Sequence, residues 1–312
     1  MSYDDIKVAA ERIRPFVRRT PMLKLDHCVG FDLRNEFLLK LECLQVSGSF
    51  KIRGAANRIK LLSPERIQQG LVAASGGNHG LAIAYMAHQS GVPTTIFLPS
   101  NASSVKEEKL RRLGADVRRE GKVWDEAHEV AVAFAEQQGA FYMHPFADEA
   151  IVSGQGTVAL EMVEQLPETD LYIVAIGGGG LIAGMSQVIK SVNPKARIIG
   201  VEPTGSPTLR ACFDAGHVVR LAEVTTKVAT MACGRTDESI YEIARRNVDD
   251  IVLIDDDAMQ RAAALLWFEY GIAADLSGAA SLAAVMSGAV VPPTGSRIAG
   301  LVCGSGADGF NA

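Results

Sequence analysis

The chain has 312 residues, 48% of them hydrophobic and 21% charged, so it can bury a substantial core, and disordered and fibrous classes are excluded. Its formal net charge of −5 gives no basic surface of the kind that binds nucleic acid or an anionic membrane. The N-terminus lacks the basic start and apolar block of a signal peptide, and no apolar run is long enough to cross a bilayer.

Along the chain, short apolar runs that predict strands alternate with longer runs of helical period. A surface helix is expected first, within Asp4–Val17. The predicted strands are Phe37–Leu41, Leu71–Ala74, Thr94–Leu98, Ala140–Met143, Leu171–Ile176, Arg197–Val201, Asp250–Ile254 and Ile298–Val302. The predicted helices between them are Phe50–Leu61, His79–Gln89, Val105–Leu113, Asp125–Gln138, Ala150–Gln165, Leu181–Val192, Asp257–Tyr270 and Ala279–Met286. This alternation predicts an α/β fold of two closely packed lobes, each a mostly parallel sheet flanked by helices.

Cysteine and histidine usage favours a reduced, metal-free, cytoplasmic protein. The five cysteines are an odd number, scattered without paired metal spacing: Cys28, Cys43, Cys212, Cys233 and Cys303. The histidines show no ligand spacing either, and we expect only His79 to lie near chemistry; the others are His27, His88, His128, His144 and His217.

Four consecutive glycines, Gly177–Gly180, join the apolar strand at 171–176 to a helical run. A plain turn needs one or two glycines, whereas four indicate a backbone that approaches a ligand closely. Amide N–H groups at a helix N-terminus bind anions, so this loop predicts a phosphate site. A dinucleotide is one alternative, because Gly178-x-Gly180-x-x-Ala183 fits that fingerprint and Glu202 ends the next strand at the spacing of a ribose-binding acid. That alternative, an NAD-dependent dehydrogenase, leaves the next motif without a role.

A lysine, Lys51, lies in the first turn of a predicted helix, in Ser47-Gly-Ser-Phe-Lys-Ile-Arg-Gly-Ala55. The positive end of the helix dipole and partial burial both lower the pKa of an amine there. An amine of lowered pKa is what a Schiff-base lysine requires, although a solvated helix lysine would be the ordinary outcome.

At these motifs the sequence resembles the fold-type II pyridoxal-phosphate (PLP) enzymes, whose fold is like that of the tryptophan synthase β subunit, and within them the threonine/serine dehydratases. The resemblance covers almost the whole chain. It rests on Ser49–Gly54, Ser75-Gly-Gly-Asn-His-Gly80, His144-Pro-Phe146 with Gly154–Thr157, Gly177–Leu181, Gly200-Val-Glu-Pro203, Ser277–Ala280 and Cys303–Asp308.

The resemblance implies a role for each matching residue. Lys51 would hold the cofactor covalently and move the α-proton of the substrate, with Phe50 packed on the cofactor ring. Asn78 would bond the ring hydroxyl, Cys303 would face the pyridine nitrogen, and Gly177, Gly178, Gly179 and Gly180 would hold the phosphate. Ser75, Gly76, Gly77 and His79 would bind the substrate carboxylate.

The sequence departs from the family pattern at several positions. Racemases of the family carry Ser where this chain has Gly76, which disfavours racemisation. Thr208 stands where cation-activated relatives have an Asp that shares the metal with the residue matching Glu202, so no metal is expected. Cys233 replaces an Asp, and Asp275 replaces a Glu that is one methylene longer. Because the sequence ends at Ala312, we expect no regulatory domain of the kind found in biosynthetic threonine dehydratases.

The function expected from these residues is PLP-dependent β-elimination of a β-hydroxy amino acid, such as L-threonine, L-serine or a 3-hydroxy analogue, to a 2-oxo acid and ammonia. A neutral thiol at Cys303 favours elimination over transamination. A racemase and a β-replacement synthase stay open as alternatives. Residues 1–47 and 146–312 would form a large PLP-binding lobe, and residues 48–145 a small lobe that closes on substrate. We expect a cytoplasmic homo-oligomer, a dimer first of all, with no nucleic-acid or membrane partner.

Overall fold

The computed structural model describes residues 1–26, 35–100, 102, 104–122 and 124–311 as two parallel sheets flanked by helices. His27 and Cys28 lie outside the described residues. The two mostly parallel sheets with flanking helices confirm the predicted fold class. No helix in the described ranges has both the length and the apolar composition that a membrane span needs.

The larger sheet has six strands in the order β1-β2-β10-β7-β8-β9. All neighbours in it are parallel except β1 and β2, which pair antiparallel. Its strands are β1 (Met22–Lys24), β2 (Glu36–Lys40), β7 (Leu171–Ala175), β8 (Arg197–Pro203), β9 (Asp250–Ile254) and β10 (Arg297–Leu301). The central strand β7 is buried at every residue, as expected for a strand with helices on both faces.

The smaller sheet has four parallel strands in the order β5-β4-β3-β6. They are β3 (Leu71–Ala74), β4 (Thr94–Leu98), β5 (Asp116–Arg119) and β6 (Phe141–Tyr142). Every strand of this sheet thus falls between residues 71 and 142, and its helices pack around it in a hydrophobic cluster separate from that of the larger sheet.

The helices of the described residues are α1 (Tyr3–Ile13), α2 (Lys51–Lys60), α3 (Pro64–Gln68), α4 (Asn78–Ser90), α5 (Ser104–Arg112), α6 (Trp124–Gln138), α7 (Glu149–Gln165), α8 (Gly180–Val192), α9 (Thr208–Ala215), α10 (Glu238–Asn247), α11 (Asp256–Tyr270) and α12 (Leu276–Met286). Each predicted strand and helix has its counterpart, with ends displaced by a few residues. The structure also contains elements that the sequence did not predict: β1, β5, α3, α9 and α10.

A buried charge network anchors α2, the helix that begins at Lys51. Arg53 is 1% exposed and donates to both oxygens of the fully buried Glu42, at 2.7 Å each. It also donates to Glu161 on α7 at 2.8 Å, and Lys40 on β2 donates to the same carboxylate. Breaking such a network would leave a buried charge unpaired, so these contacts fix the helix against the larger sheet.

Candidate active site

Lys51 lies close to Cys233 and Cys303, and the region around its amine is called the cleft below. Lys51 is the first residue of α2, and its Nζ donates to the Pro145 carbonyl at 2.9 Å and lies 5.2 Å from the centre of the Phe50 ring. Burial lowers the pKa of the Lys51 amine to about 8, and the side chain keeps partial exposure. An amine of this kind is neutral in a useful fraction near neutral pH, so it can act as a nucleophile or a base.

The glycine loop lies against the same segment of chain. Gly179 has a φ of +91°, and a Cβ on Gly178 would come within 2.2 Å of the Phe146 ring, so both positions require glycine. The loop leads into the N-terminus of α8. The backbone N–H groups of residues 177–182 have no hydrogen-bond acceptor among the described residues. Free amides at a helix N-terminus form a site for an anion such as phosphate.

A second helix N-terminus, that of α4, faces the cleft at the end of β3. Ser75, Gly76 and Gly77 are partly exposed there, and the Ser75 hydroxyl accepts from the Gly77 N–H at 3.3 Å. The N–H groups of residues 78–80 donate to no acceptor in the described part of the chain. This end of α4 can therefore bind a carboxylate.

The His79 ring points into the protein rather than into the cleft. It is 3% exposed, and its Nε2 lies 2.9 Å from the Met143 carbonyl. Burial, reinforced by Lys51, lowers the pKa of His79 to about 3, so the ring is neutral and Nε2 carries its proton. A carboxylate at this helix end would meet the backbone of His79.

Asn78 and Cys303 are joined by two further residues. Asn78 Nδ2 donates to Asp275 Oδ2 at 2.8 Å, and Ser277 Oγ lies 2.7 Å from Asp275 Oδ1. Cys303 Sγ lies 3.5 Å from Ser277 Oγ. Burial, and then the charge of Asp275, raise the pKa of the Cys303 thiol, which therefore stays neutral. The Phe50 N–H donates to the Cys303 carbonyl at 3.1 Å, which ties this group to Lys51.

A cavity of about 430 Å³ lies between α6 and residues 233–238, beside the cleft, since His144, Phe146 and Cys233 line it. One wall is a series of rings: Trp124 stacks on His128 at 4.9 Å, and His144 meets Phe146 edge to face at 4.8 Å. Burial, then His128 and Lys51, lower the pKa of His144 to about 4. His144 therefore lies near Lys51 as well, although the sequence singled out only His79 among the histidines.

Glu202 does not face the cleft. It is fully buried, and its two oxygens accept the backbone N–H groups of Leu209 and Arg210 at 2.8 and 2.9 Å. Burial raises the pKa of its carboxyl to about 7. A ribose could not reach this carboxylate, which removes the main support for the dinucleotide alternative. The Thr208 hydroxyl donates to the Cys233 carbonyl, and the described residues contain no cluster of three potential metal ligands.

Two threonines that the sequence did not single out contact the glycine residues of the site. Thr236 Oγ1 donates to the Gly178 carbonyl at 2.9 Å and so fixes the glycine loop. Thr230 lies between the two helix N-termini, because it is close to both Gly77 and Gly177. Both occur in a stretch without regular periodicity, which gave no signal in the sequence.

The predicted site residues are thus brought together around one amine. The structure offers a loop of free backbone amides, a buried side-chain amide at Asn78 and a neutral thiol at Cys303. A side chain at Gly178 would clash with Phe146 and disrupt this loop. Only the His79 ring turns away. This donor set fits a flat, phosphorylated cofactor attached to Lys51.

Comparison with known proteins agrees with this fit. The family model described as "Pyridoxal-phosphate dependent enzyme" matches residues 13–304. An L-threonine ammonia-lyase of Thermotoga maritima is 37% identical over 308 residues, which cover 99% of this chain and 76% of that protein. A serine racemase of Oryza sativa subsp. indica is 36% identical over 285 residues, which cover 90% of this chain and 83% of the racemase. The solved structure of maize serine racemase superposes with a TM-score of 0.91 at 34% identity, covering 97% of this chain and 93% of that one.

Proposed function

The chain belongs to the pyridoxal-phosphate dependent enzyme family, and we propose from this membership that it eliminates water from a β-hydroxy amino acid such as L-threonine or L-serine, yielding a 2-oxo acid and ammonia. The predictions of PLP as the cofactor and of an enzyme similar to the threonine ammonia-lyases are confirmed by the family match and by these relatives. The observation that carries the proposal is the Lys51 amine bound to the Pro145 carbonyl, next to Phe146, which packs against a glycine loop with free N–H groups.

We propose that each of two helix ends binds a different negatively charged group, one the cofactor phosphate and the other the substrate carboxylate. The N-terminus of α8, with Gly177, Gly178, Gly179 and Gly180, would hold the phosphate, and the N-terminus of α4, with Ser75, Gly76, Gly77 and the His79 backbone, would hold the substrate carboxylate. Phe50 would pack against the cofactor ring and Asn78 would donate to its hydroxyl. These assignments place the α-carbon of the substrate beside Lys51.

When bound, PLP withdraws electrons from the substrate and makes its α-hydrogen acidic. Lys51, whose pKa is about 8, would accept this proton and pass one to the departing β-hydroxyl. The neutral Cys303 thiol offers no negative charge to the ring nitrogen, which favours rapid loss of the hydroxyl over transamination. The enamine released by the enzyme would take up water to give the 2-oxo acid and ammonia.

Gly76 supports elimination over racemisation. A Cβ on Gly76 would lie 3.2 Å from the Ala102 methyl and 3.3 Å from a Leu98 methyl, so the described residues nearest to this position are apolar and supply no acid. Racemisation needs a second proton donor on the opposite face of the α-carbon. The similarity to serine racemases makes this the alternative that the assay must address.

The proposal is tested with purified holoprotein. It should be yellow, lose its visible band on borohydride reduction and carry the pyridoxyl adduct on Lys51 by mass spectrometry, whereas Lys51→Ala should be colourless. Incubation with L-threonine, L-serine and 3-hydroxy relatives should then release 2-oxo acid and ammonia in equal amounts. An adduct on another residue, or a product that is the D-amino acid, would overturn the proposal.

We also propose that residues 48–145 form a small lobe that closes on a large lobe made of residues 1–47 and 146–312. The confinement of the smaller sheet to residues 71–142 supports this division. We further propose a cytoplasmic homodimer. The reduced thiols of Cys43, Cys212 and Cys303 support the cytoplasmic compartment. Sedimentation velocity of the holoprotein tests the dimer.

A further inference from the structure

Four buried polar side chains form a continuous chain beside Lys51. Asn78 bonds Asp275, Asp275 bonds Ser277, and Ser277 contacts Cys303, at 2.8, 2.7 and 3.5 Å. None of the four is more than 8% exposed. Because Asn78 and Asp275 lie 197 positions apart in the sequence, the contact joins distant parts of the chain.

Asp275 is the acceptor on which this chain depends. Its Oδ1 accepts from Ser277 Oγ and from the Gly278 N–H, both at 2.7 Å, and its Oδ2 accepts from Asn78. No lysine or arginine of the described ranges forms an ion pair with it. It caps the N-terminus of α12, where the helix dipole favours a negative charge.

The Asp275 carboxylate accepts all three of these hydrogen bonds, and this fixes the direction of every other bond in the row of four side chains. Asn78 must present its amide nitrogen to Asp275 rather than its oxygen, so the plane of the amide is set. Ser277 must give its hydroxyl proton to Asp275, so its oxygen is left to accept the thiol proton of Cys303. The second N–H of Asn78 has no acceptor among the described residues.

The backbone around Asp275 keeps this arrangement dry and rigid. A Cβ on Gly304 would lie 2.5 Å from both Asn78 Nδ2 and Asp275 Oδ2, so only a glycine backbone can cover that hydrogen bond. The Asp275 N–H donates to the Gly304 carbonyl at 3.0 Å, and Gly304 also bridges to Ser49, two residues before Lys51. A movement of Asp275 would therefore also displace Asn78, Cys303 and the backbone beside Lys51.

We propose that Asp275 is a positioning residue for the cofactor: one carboxylate that orients the Asn78 amide directly and the Cys303 thiol through Ser277. This inference rests on the proposed function, because the two residues it orients are the ones assigned to the cofactor ring. Asp275 itself does not touch the reacting atoms. It sets which donors and acceptors the ring meets on its hydroxyl side and on its nitrogen side.

The test uses Asp275→Asn in the PLP-loaded enzyme. Asparagine has nearly the same shape and is also a good N-cap, so its oxygen can keep the bonds to Ser277 and Gly278. Its NH₂ group would then oppose the Asn78 NH₂ group, and the amide of Asn78 must turn or move. The visible absorption band at fixed pH should shift, and the dissociation constant of PLP should rise about tenfold, which corresponds to ~1.4 kcal/mol.

Three further variants make the result specific. Asp275→Glu keeps an acceptor-only carboxylate and should restore most of the wild-type spectrum. Ser277→Ala removes only the arm to Cys303 and should shift the band with little change in PLP affinity. Asp255→Asn alters another capping aspartate, at the start of α11, and should leave spectrum and PLP affinity unchanged.

The inference fails if Asp275→Asn or Ser277→Ala keeps the wild-type band, or if Asp255→Asn shifts the band as much as Asp275→Asn does. A wild-type protein that binds no PLP would instead refute the proposed function before the variants are compared.

Discussion

Gly178→Ala is expected to weaken PLP binding by opening the phosphate cradle. The added methyl group would lie 2.2 Å from Phe146 Cδ1 and 2.3 Å from Cε1. Carbon atoms pack at about 3.5–4.0 Å, so the ring or the loop must move by more than ~1 Å. Phe146 follows Pro145, whose carbonyl accepts from Lys51, so the movement reaches the lysine as well.

The size of the effect follows from the cost of overpacking. Inserting one methyl group into a filled site costs about 1–3 kcal/mol, which is about a 5- to 150-fold rise in the dissociation constant of PLP if the bound state carries the strain. Fluorescence titration of apoprotein with PLP measures the constant. Thermal unfolding of the apo and PLP-loaded forms then shows how much stabilisation by PLP has been lost, because a ligand stabilises only the state that binds it.

Gly184→Ala is the matched control. Its methyl group would lie 2.4 Å from the Val152 carbonyl, where α8 packs on α7. The clash is similar, but it falls in the body of α8 rather than in the loop. Gly184→Ala should therefore lower the melting temperature of both forms and change the PLP dissociation constant less than twofold. If Gly178→Ala binds PLP as tightly as the wild type, the loop does not hold the phosphate as described.

Three further outcomes are expected. The pKa of Lys51 is lowered by burial from 10.5 to about 8, so the rate at which apoprotein captures PLP should rise with pH and level off above about 8; a rate that still climbs at pH 10 in stopped-flow absorbance would contradict the lowered pKa. Thr236→Val removes the hydroxyl that donates to Gly178 and should raise the PLP dissociation constant about fivefold in the same titration, for a loss of ~1 kcal/mol, whereas an unchanged constant would mean that this bond does not fix the loop. Glu42→Gln leaves Arg53 poorly paired in the interior and should cost about 3–5 kcal/mol in urea unfolding; a cost below ~1 kcal/mol would show that Arg53 finds other partners.

The fold was predictable wherever burial imposes a pattern on the sequence. Strands β3, β4 and β9 begin and end at the predicted residues because their apolar runs are bounded by polar or turn residues. Strand β5 was missed because Asp116–Arg119 is mostly charged and lies at the edge of its sheet, where one buried side chain suffices. Strand β1 is three residues long and gives no alternation to detect.

The helices that were missed differ in cause. Helix α3 is five residues long and buries no side chain, so hydrophobic periodicity could not reveal it. Helix α10 is amphipathic, with Ile240, Tyr241 and Ala244 buried, and its capping Asp237 precedes it at the usual spacing. The signal for α10 was therefore present in the sequence, unlike that for α3.

The candidate site was predictable as a set of loops but not as a set of contacts. Ser75, Gly177 and Cys303 each follow shortly after the end of a strand, β3, β7 and β10, and ligands of parallel sheets bind at these ends. The direction of the His79 ring depends on a carbonyl at Met143, which no local pattern reveals. The same holds for the hydroxyl of Thr236 on the glycine loop.

The contact between Asn78 and Asp275 shows why the site needs both sheets. Asn78 is the first residue of α4, which follows β3 of the smaller sheet, whereas Asp275 precedes α12, which packs on the larger sheet. The segment at 303–305 follows β10 of the larger sheet, and its Gly304 bridges to Ser49 while its Ser305 bridges to Ala274. This one segment of backbone therefore holds Lys51, Asn78 and Cys303 in place. Asp275 has a shorter side chain than the Glu of the family pattern. It can keep its bond to Asn78 only if the backbone at Gly304 and Gly306 comes close to it, because a Cβ on either glycine would lie within 2.8 Å of Asp275.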